Sequence, residues 1–157
     1  MLFSKKQSCL SAVCAGKSMP LSKMSDEAFS SGMLGVGYAI DPTDGCFFSP
    51  VSGRVESIPH SKHAYTIQSD TGLDVLVHIG VDTVSLGGEG FESCVKEGAR
   101  VKTGDPLAKV DLSLIRSKGY SAMTAVLVTE PEKIEHIEFR FGSVGGVKDA
   151  VMCFRVK

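Results

Sequence analysis

The chain has 157 residues, a formal net charge of −1 and 43% hydrophobic residues. This length suffices for one domain with a sizeable core. The near-neutral charge and the lack of a basic run argue against a nucleic-acid-binding protein, and no apolar stretch approaches membrane length.

The first residues lack the apolar core of a signal peptide, so we expect a cytoplasmic protein with no direct membrane insertion. We treat residues 1–12 as a short N-terminal arm and residues 13–157 as a single domain. The five cysteines are odd in number and contain no Cys-x-x-Cys motif. Reduced thiols that fill space in the core are therefore predicted.

Short runs rich in Val, Ile, Phe and Thr alternate along the chain with turn signals that contain Gly, Asp and Pro. This organisation predicts an all-β fold, an antiparallel β-sandwich or barrel-sandwich hybrid with short helical turns. The predicted strands are 37–40, 45–48, 53–58, 64–68, 73–79, 106–110, 124–128 and 150–156. One helical turn is predicted at 26–30, a short helix capped by Asp111 at 111–118, and another turn at 131–136. Segment 95–107 predicts two tight turns that flank a short strand.

Two of the four histidines lie at the same end of one predicted β-hairpin. His63 opens the first strand, His78 ends the second, and Asp70-Thr71-Gly72 lies at the turn. The number of loop residues decides whether the imidazoles meet. A loop of four residues places them opposite one another, a loop of two places them diagonally on one face, and a loop of three places them on opposite faces. The alternative is that one histidine packs in the core and the other is exposed.

The hairpin at residues 63–84, followed by Gly-Glu-Gly-Phe at 88–91, closely resembles the glucose-family enzyme IIA domain of the bacterial phosphoenolpyruvate:sugar phosphotransferase system. The similarity extends through 49–53, 98–105 and 142–144. It covers the chain from about residue 26 to the C-terminus. The resemblance implies a phosphocarrier, a phosphotransferase component that needs no cofactor beyond a covalently held phosphoryl group.

The resemblance implies particular roles for the site residues. His78 would carry the phosphoryl group on Nε2, His63 would contact the phosphate, and Ser61 would orient His63. The chemistry of imidazole agrees, because the reactive nitrogen must be unprotonated while the other nitrogen donates its proton to a fixed acceptor. We expect that acceptor to be a backbone carbonyl near Gly80.

The resemblance also implies partners. Asp26 and Asp82 would engage the basic surface of the donor protein HPr, and Phe29 would be an apolar docking residue. The acceptor would be a cysteine of an enzyme IIB domain in a sugar permease. In its unphosphorylated state the protein would also bind regulated enzymes or transporters.

Two other functions remain open. His78 and Asp82 have the His-x-x-x-Asp spacing of a zinc hydrolase, but the downstream His-x-His is absent and only His136 follows. A pure regulatory binding module is the second alternative. In that mode, as the family implies, His63 and His78 would form half of a zinc site that a partner's carboxylate completes, and they would hold no metal alone.

Two positions depart from the family pattern. Val36 replaces an aspartate in a Gly-Asp-Gly turn, and Val13 replaces a proline in the first Ala-Pro segment. Neither position belongs to the histidine pair, so phosphorylation should survive. We expect effects on local backbone geometry and on partner preference.

Overall fold

The computed structural model describes residues 7–145 and 149–157, and strands dominate them. The strands are β1 (Gln7–Ser11), β2 (Gly16–Pro20), β3 (Val36–Pro42), β4 (Cys46–Phe48), β5 (Gly53–Ser57), β6 (Ala64–Ser69), β7 (Asp74–His78), β8 (Phe91–Ser93), β9 (Arg100–Val101), β10 (Pro106–Val110), β11 (Thr124–Val128), β12 (Ile134–Phe139), β13 (Gly142–Val144) and β14 (Ala150–Val156). The predicted all-β fold is confirmed, and each predicted strand has its counterpart among these.

The strands form three antiparallel sheets. The largest has eight strands in the order β13-β2-β3-β11-β7-β6-β5-β9. Two sheets of three strands have the orders β1-β14-β12 and β4-β10-β8. The hairpin β6–β7 therefore lies inside the large sheet, where β11 and β5 flank it and hold it rigidly.

One hydrophobic core joins all three sheets. It contains Leu10 and Met152 from one small sheet, Phe47 from the other, and Ile67 and Val77 from the large sheet. A second, smaller cluster covers the other side of the large sheet near the end of β7. Its buried members are Leu21, Met24, Phe29, Ala39, Ala125 and Leu127. Strands β7 and β11 are therefore covered on both faces, which agrees with their near-continuous apolar sequences.

Both predicted helices are present, and each begins directly after the aspartate at which it was predicted to start. Helix α1 (Glu27–Ser30) begins after Asp26, whose carboxylate accepts a hydrogen bond from the Ala28 N–H at 2.9 Å. Helix α2 (Leu112–Ser117) begins after Asp111, whose carboxylate accepts from the Leu114 N–H at 3.1 Å. Within the two described ranges, no helix has the length and apolar character needed to cross a bilayer.

Other local predictions differ from the structure. The segment called an arm contains β1, which pairs with β14 along its whole length, while residues 1–6 lie outside the described residues. The turn expected at 131–136 is a 3₁₀ turn only over Pro131–Lys133, and β12 follows it. His136 lies at an irregularity in β12 with a φ of 52°. Exposed polar residues interrupt the alternating pattern of β12, so its sequence does not resemble a half-buried strand.

The expectation of five unpaired cysteines is wrong for two of them. Cys9 in β1 and Cys153 in β14 lie directly opposite each other and form a disulfide. They are 144 residues apart, so neither spacing nor motif signals the pairing. Cys14, Cys46 and Cys94 are free, and of these only Cys14 is buried.

The buried tyrosines Tyr38 and Tyr65 provide a matched test of the core. The Tyr38 hydroxyl donates to the Ser11 carbonyl at 2.6 Å, whereas the Tyr65 hydroxyl has no hydrogen-bond partner among the described residues. Tyr38→Phe should lower the free energy of unfolding by about 1–2 kcal/mol, because it removes a buried hydrogen bond. Tyr65→Phe should be neutral or stabilising. Urea denaturation of both variants checks this, and an equal loss in the two would contradict the assignment.

Candidate functional site

The β6–β7 hairpin has a three-residue loop. Gln68 pairs with Asp74, and the Ser69 N–H donates to the Leu73 carbonyl, so Asp70, Thr71 and Gly72 form the loop. In this register His78 pairs with Ala64. By strict strand alternation His63 and His78 would lie on opposite faces of the sheet.

The two imidazoles nevertheless meet at the open end of the hairpin. Their ring centroids are 4.9 Å apart, with the rings nearly perpendicular at 84°. His63 precedes the first residue of β6, and Lys62 before it has a left-handed φ of 57°. The chain therefore turns immediately before His63. Alternation does not fix the direction of a side chain at such a strand end, so both histidines reach one site.

Nδ1 of His78 lies 2.9 Å from the backbone carbonyl oxygen of Gly80. Gly80 has a φ of +81°, which returns the chain towards the imidazole. A Cβ at this position would lie 2.4 Å from Cγ2 of Thr83 and 3.0 Å from the Ser121 carbonyl oxygen. Only glycine fits here without displacing the segment that presents the carbonyl.

Thr83 and Ser121 hold that segment in place. The fully buried Thr83 donates its hydroxyl to the Ile79 carbonyl at 2.5 Å. The Val81 N–H donates to the Ser121 carbonyl at 3.0 Å. Neither residue is predicted from the sequence. A threonine three residues after a turn glycine is a signal for Thr83, since its hydroxyl can bond the nearby backbone, whereas Ser121 contributes only its backbone.

Ser61 contacts the second histidine. Its Oγ lies 2.6 Å from Nδ1 of His63, and both side chains are buried, with His63 only 7% exposed. Ser61 has no other side-chain hydrogen-bond partner among the described residues. A buried hydroxyl proton needs an acceptor, so the favoured arrangement has the hydroxyl donating to Nδ1 of His63.

These contacts favour complementary tautomers for the two imidazoles. The Gly80 carbonyl can only accept, so Nδ1 of His78 carries a proton and donates it, which leaves Nε2 with a lone pair. The Ser61 contact leaves His63 with its proton on Nε2. The pair therefore combines an unprotonated nitrogen on His78 with a hydrogen-bond donor on His63.

Burial keeps both imidazoles neutral. Burial, with a smaller contribution in the same direction from the neighbouring His78, lowers the pKa of His63 to about 4. Burial also lowers the pKa of His78, but the Gly80 carbonyl, Asp26 and Asp82 oppose that effect. Both rings are therefore uncharged near pH 7, the state in which an imidazole nitrogen is nucleophilic.

The two predicted acidic residues flank His78 from different segments. Asp26 caps α1 and is half-buried, while Asp82 is exposed and follows directly from the Gly80 turn. Asp82 has a left-handed φ of 60°, and its side chain makes no capping hydrogen bond to the 3₁₀ turn Thr83–Leu86. The carboxylate of Asp82 is therefore available at the surface beside the imidazoles.

Phe29 packs against His78, with ring centroids 4.9 Å apart at an angle of 54°. Its side chain is only 4% exposed, so it presents little surface for the docking role that the resemblance implied. Phe29 instead forms one wall around the imidazole. Three exposed apolar side chains follow these site residues in the chain. Met33, which is 79% exposed, and Leu34 come after α1, and Val84 comes after Asp82.

The described residues contain no cluster of three or more His, Cys, Asp or Glu side chains arranged to hold a metal ion. His78 and Asp82 are therefore not joined by a third ligand of the kind that a zinc hydrolase requires. The other two histidines do not join the site. His136 lies in β12 beside Glu135, and His60 is an exposed residue outside the strands.

Comparisons with known proteins agree on one family. Residues 8–134 match the family model described as phosphoenolpyruvate-dependent sugar phosphotransferase system, EIIA 1. Glucose-specific EIIA components from Bacillus cereus and Bacillus anthracis are each 42% identical over 122 residues, which cover 78% of this chain and 74% of the relative. The solved structure of glucose permease IIA from Mycoplasma capricolum has a TM-score of 0.91 at 37% identity. It covers 98% of this chain, which in turn covers 99% of that one.

An antiparallel β-sandwich with paired, neutral imidazoles is suited to carrying a group on a histidine nitrogen. The family match makes this specific. The chain belongs to the EIIA 1 family of the phosphoenolpyruvate-dependent sugar phosphotransferase system, and it is a phosphocarrier component of that system. The resemblance inferred from the histidine hairpin is thereby confirmed.

Gly80→Ala tests the turn that supports His78, with Gly72→Ala as its matched control. Both glycines have a positive φ, +81° and +85°, but a Cβ at Gly72 would meet nothing within 4 Å. Both variants incur the backbone cost of about 1 kcal/mol, and only Gly80→Ala adds steric overlap, for a further loss of about 1–3 kcal/mol. Urea denaturation measures both, and equal losses would show that Thr83 and Ser121 do not confine this turn.

His63 should make stability depend on pH. Its pKa is about 4 in the folded protein and near the ordinary value of 6.5 in the unfolded chain. The unfolded state therefore binds the proton more readily, so stability is full above pH 6.5 and declines as the pH falls towards 4. The loss attributable to His63 is about 3 kcal/mol in full. Urea denaturation of wild type and His63→Gln from pH 7 to 4 isolates it, and parallel curves would contradict the lowered pKa.

Proposed function

We propose that this chain accepts a phosphoryl group from phospho-HPr on Nε2 of His78 and passes it to a cysteine thiolate of an enzyme IIB domain. The observation that carries the proposal is the contact between Nδ1 of His78 and the Gly80 carbonyl. It directs the lone pair to Nε2, the nitrogen that is free to react. We place the protein in the cytosol, and the names of its relatives make glucose the first sugar to test.

Each transfer conserves one phosphoryl group. In the first step the lone pair on Nε2 of His78 attacks phosphorus, and the bond from phosphorus to the HPr histidine breaks, which returns an electron pair to that nitrogen. In the second step the IIB thiolate attacks phosphorus, and the bond from Nε2 of His78 breaks. Such transfers depend mainly on alignment and electrostatic stabilisation, which two adjacent strands of a rigid sheet supply.

His63 has a separate role in this proposal. Its Nε2–H, available because Ser61 occupies Nδ1, would donate a hydrogen bond to a phosphoryl oxygen. A neutral donor stabilises the charge that develops on these oxygens without forming a permanent ion pair. The low pKa of His63 matters because a charged imidazole would bind the phosphoryl group more strongly and slow its release.

The surface around His78 suits brief contacts with two partners. Asp26 and Asp82 would meet basic residues of HPr, and the exposed apolar side chains of Met33, Leu34 and Val84 would form the contact area. Charge complementarity of this kind raises the association rate more than the affinity. Transient binding is what a carrier requires, since it must release each partner after transfer.

Zinc would enter only in a complex. Nε2 of His78 is available as a ligand, whereas His63 would first have to move its proton from Nε2 to Nδ1, where the Ser61 hydroxyl oxygen can accept a hydrogen bond. Two ligands still leave a tetrahedral shell open. A carboxylate from a regulated enzyme or transporter would complete it when His78 carries no phosphoryl group. The phosphorylation cycle itself needs no metal in this proposal.

Phosphorylation of three histidine variants tests the assignment of roles. After incubation with phosphoenolpyruvate, enzyme I and HPr, wild type should gain one phosphoryl group by intact mass at neutral pH and lose it on brief acid treatment. His78→Ala should gain none, because the acceptor nitrogen is missing. His63→Gln should still accept the group but transfer it to IIB at least about tenfold more slowly, since it lacks the imidazole donor.

His136→Ala is the control, because His136 is an exposed histidine outside the site, and it should behave as wild type. If His63→Gln cannot be phosphorylated while His78→Ala can, the roles of the two histidines are reversed. If wild type gains no phosphoryl group from HPr that phosphorylates another EIIA, the carrier proposal is wrong.

A further inference from the structure

The disulfide joins the first and last strands of the fold as the structure describes it. Cys9 and Cys153 are directly opposite in the β1–β14 ladder, with Cα atoms 4.1 Å apart. Strand β1 is an edge strand that pairs only with β14 within the described part of the chain. The bond therefore fastens an edge strand to the centre of its sheet.

One of the two sulfur-bearing residues is accessible from solvent. Cys9 lines an open cleft of about 230 Å³ together with Ser52, Asp70 and Thr71, at the loop end of the hairpin. Cys153 is only 2% exposed. Cys9 is half-buried and Cys153 is buried, so the cleft beside Cys9, at the end of the hairpin opposite the histidines, is the side from which a small thiol would approach the bond.

The other three cysteines are less suited to forming a disulfide within the fold. Cys14 is fully buried, and its pKa is raised to about 12 by burial, with Asp44 and Asp41 adding to the effect. Cys46 is the first residue of β4, and Cys94 directly follows β8. Strand β10 lies between these two strands and separates their backbones. The geometry singles out Cys9 and Cys153 as the pair that can form a bond within the fold.

We propose that Cys9 and Cys153 are a reversible thiol–disulfide site that exchanges with low-molecular-weight thiols through this cleft. In reduction, a small thiolate attacks the Cys9 sulfur and forms a mixed disulfide, while Cys153 leaves as a thiolate and takes a proton from water. A second small thiolate attacks the small-molecule sulfur of the mixed disulfide and releases Cys9. Two electrons pass to the protein, and two small thiols become one small disulfide.

Reduction should loosen the N-terminal strand without unfolding the protein. Leu10 remains in the core, and the Tyr38 hydroxyl still holds the Ser11 carbonyl at 2.6 Å. Loss of a bond that closes a loop of 144 residues removes a large constraint on the unfolded chain. The melting temperature of the reduced protein should be lower by roughly 10 °C.

The test equilibrates the full chain with a series of reduced and oxidised glutathione mixtures, followed by acid quenching, alkylation of free thiols in denaturant and intact mass. Wild type should change from five alkylated cysteines to three as the mixture becomes oxidising, and back again on reversal. Cys9→Ser should keep its four remaining cysteines available for alkylation in every mixture, and its melting temperature should not depend on the mixture. Cys46→Ser, the matched control, should keep the transition.

Three results would contradict the proposal. A wild type that keeps all five thiols in the oxidising mixtures, or gains glutathione only at Cys46 or Cys94, has no such site. A bond that no glutathione mixture reduces in the folded protein is a permanent structural disulfide. An unchanged melting temperature across the transition would refute the proposed stabilisation of β1.

Discussion

The phosphoryl transfer proposed for this protein depends on one hydrogen bond, from Nδ1 of His78 to the carbonyl of Gly80. An imidazole has two similar nitrogens, and a carrier must present one of them unprotonated at a defined point. The carbonyl decides which nitrogen keeps the proton because it can only accept. It can do so because Gly80 adopts a positive φ in a space that Thr83 and Ser121 leave too small for a side chain.

The rest of the site follows from this constraint. Strands β6, β7 and β11 fix the backbone of His78, and Phe29 restricts its ring. Burial keeps the ring neutral, whereas the nearby carboxylates of Asp26 and Asp82 limit how far its pKa falls. The pKa of His63 is lowered further, to about 4, so this imidazole, which Ser61 holds, remains an uncharged hydrogen-bond donor. In the proposed mechanism, two identical side chains acquire different roles because their Nδ1 atoms contact different groups, the Ser61 hydroxyl and the Gly80 carbonyl.

Much of this arrangement was predictable from local sequence. Turn residues and β-rich runs located the central strands, and Asp26 and Asp111 marked both helix starts. The acceptor near Gly80 was predictable because it follows from the needs of imidazole chemistry and from a glycine two residues away. These features depend on neighbours in the chain, which a sequence displays directly.

The features that sequence reasoning missed depend on distant or irregular contacts. A three-residue loop should have separated the imidazoles, but the left-handed Lys62 turns the chain just outside the ladder and brings His63 to His78. The Cys9–Cys153 bond joins residues from opposite ends of the chain, and the burial of Phe29 depends on how α1 packs on the sheet. Polar strands such as β2 form because neighbouring strands β3 and β13 offer hydrogen bonds, which no periodicity reveals.

The most direct test of the central claim is the protonation of the His78 ring before any phosphoryl group arrives. Long-range ¹H–¹⁵N correlation spectra of histidine-labelled protein at neutral pH distinguish the two tautomers, and His78→Ala identifies the signals. The account predicts that His78 carries its proton on Nδ1 and has an unprotonated Nε2. A proton on Nε2, or rapid averaging between the two nitrogens, would contradict it.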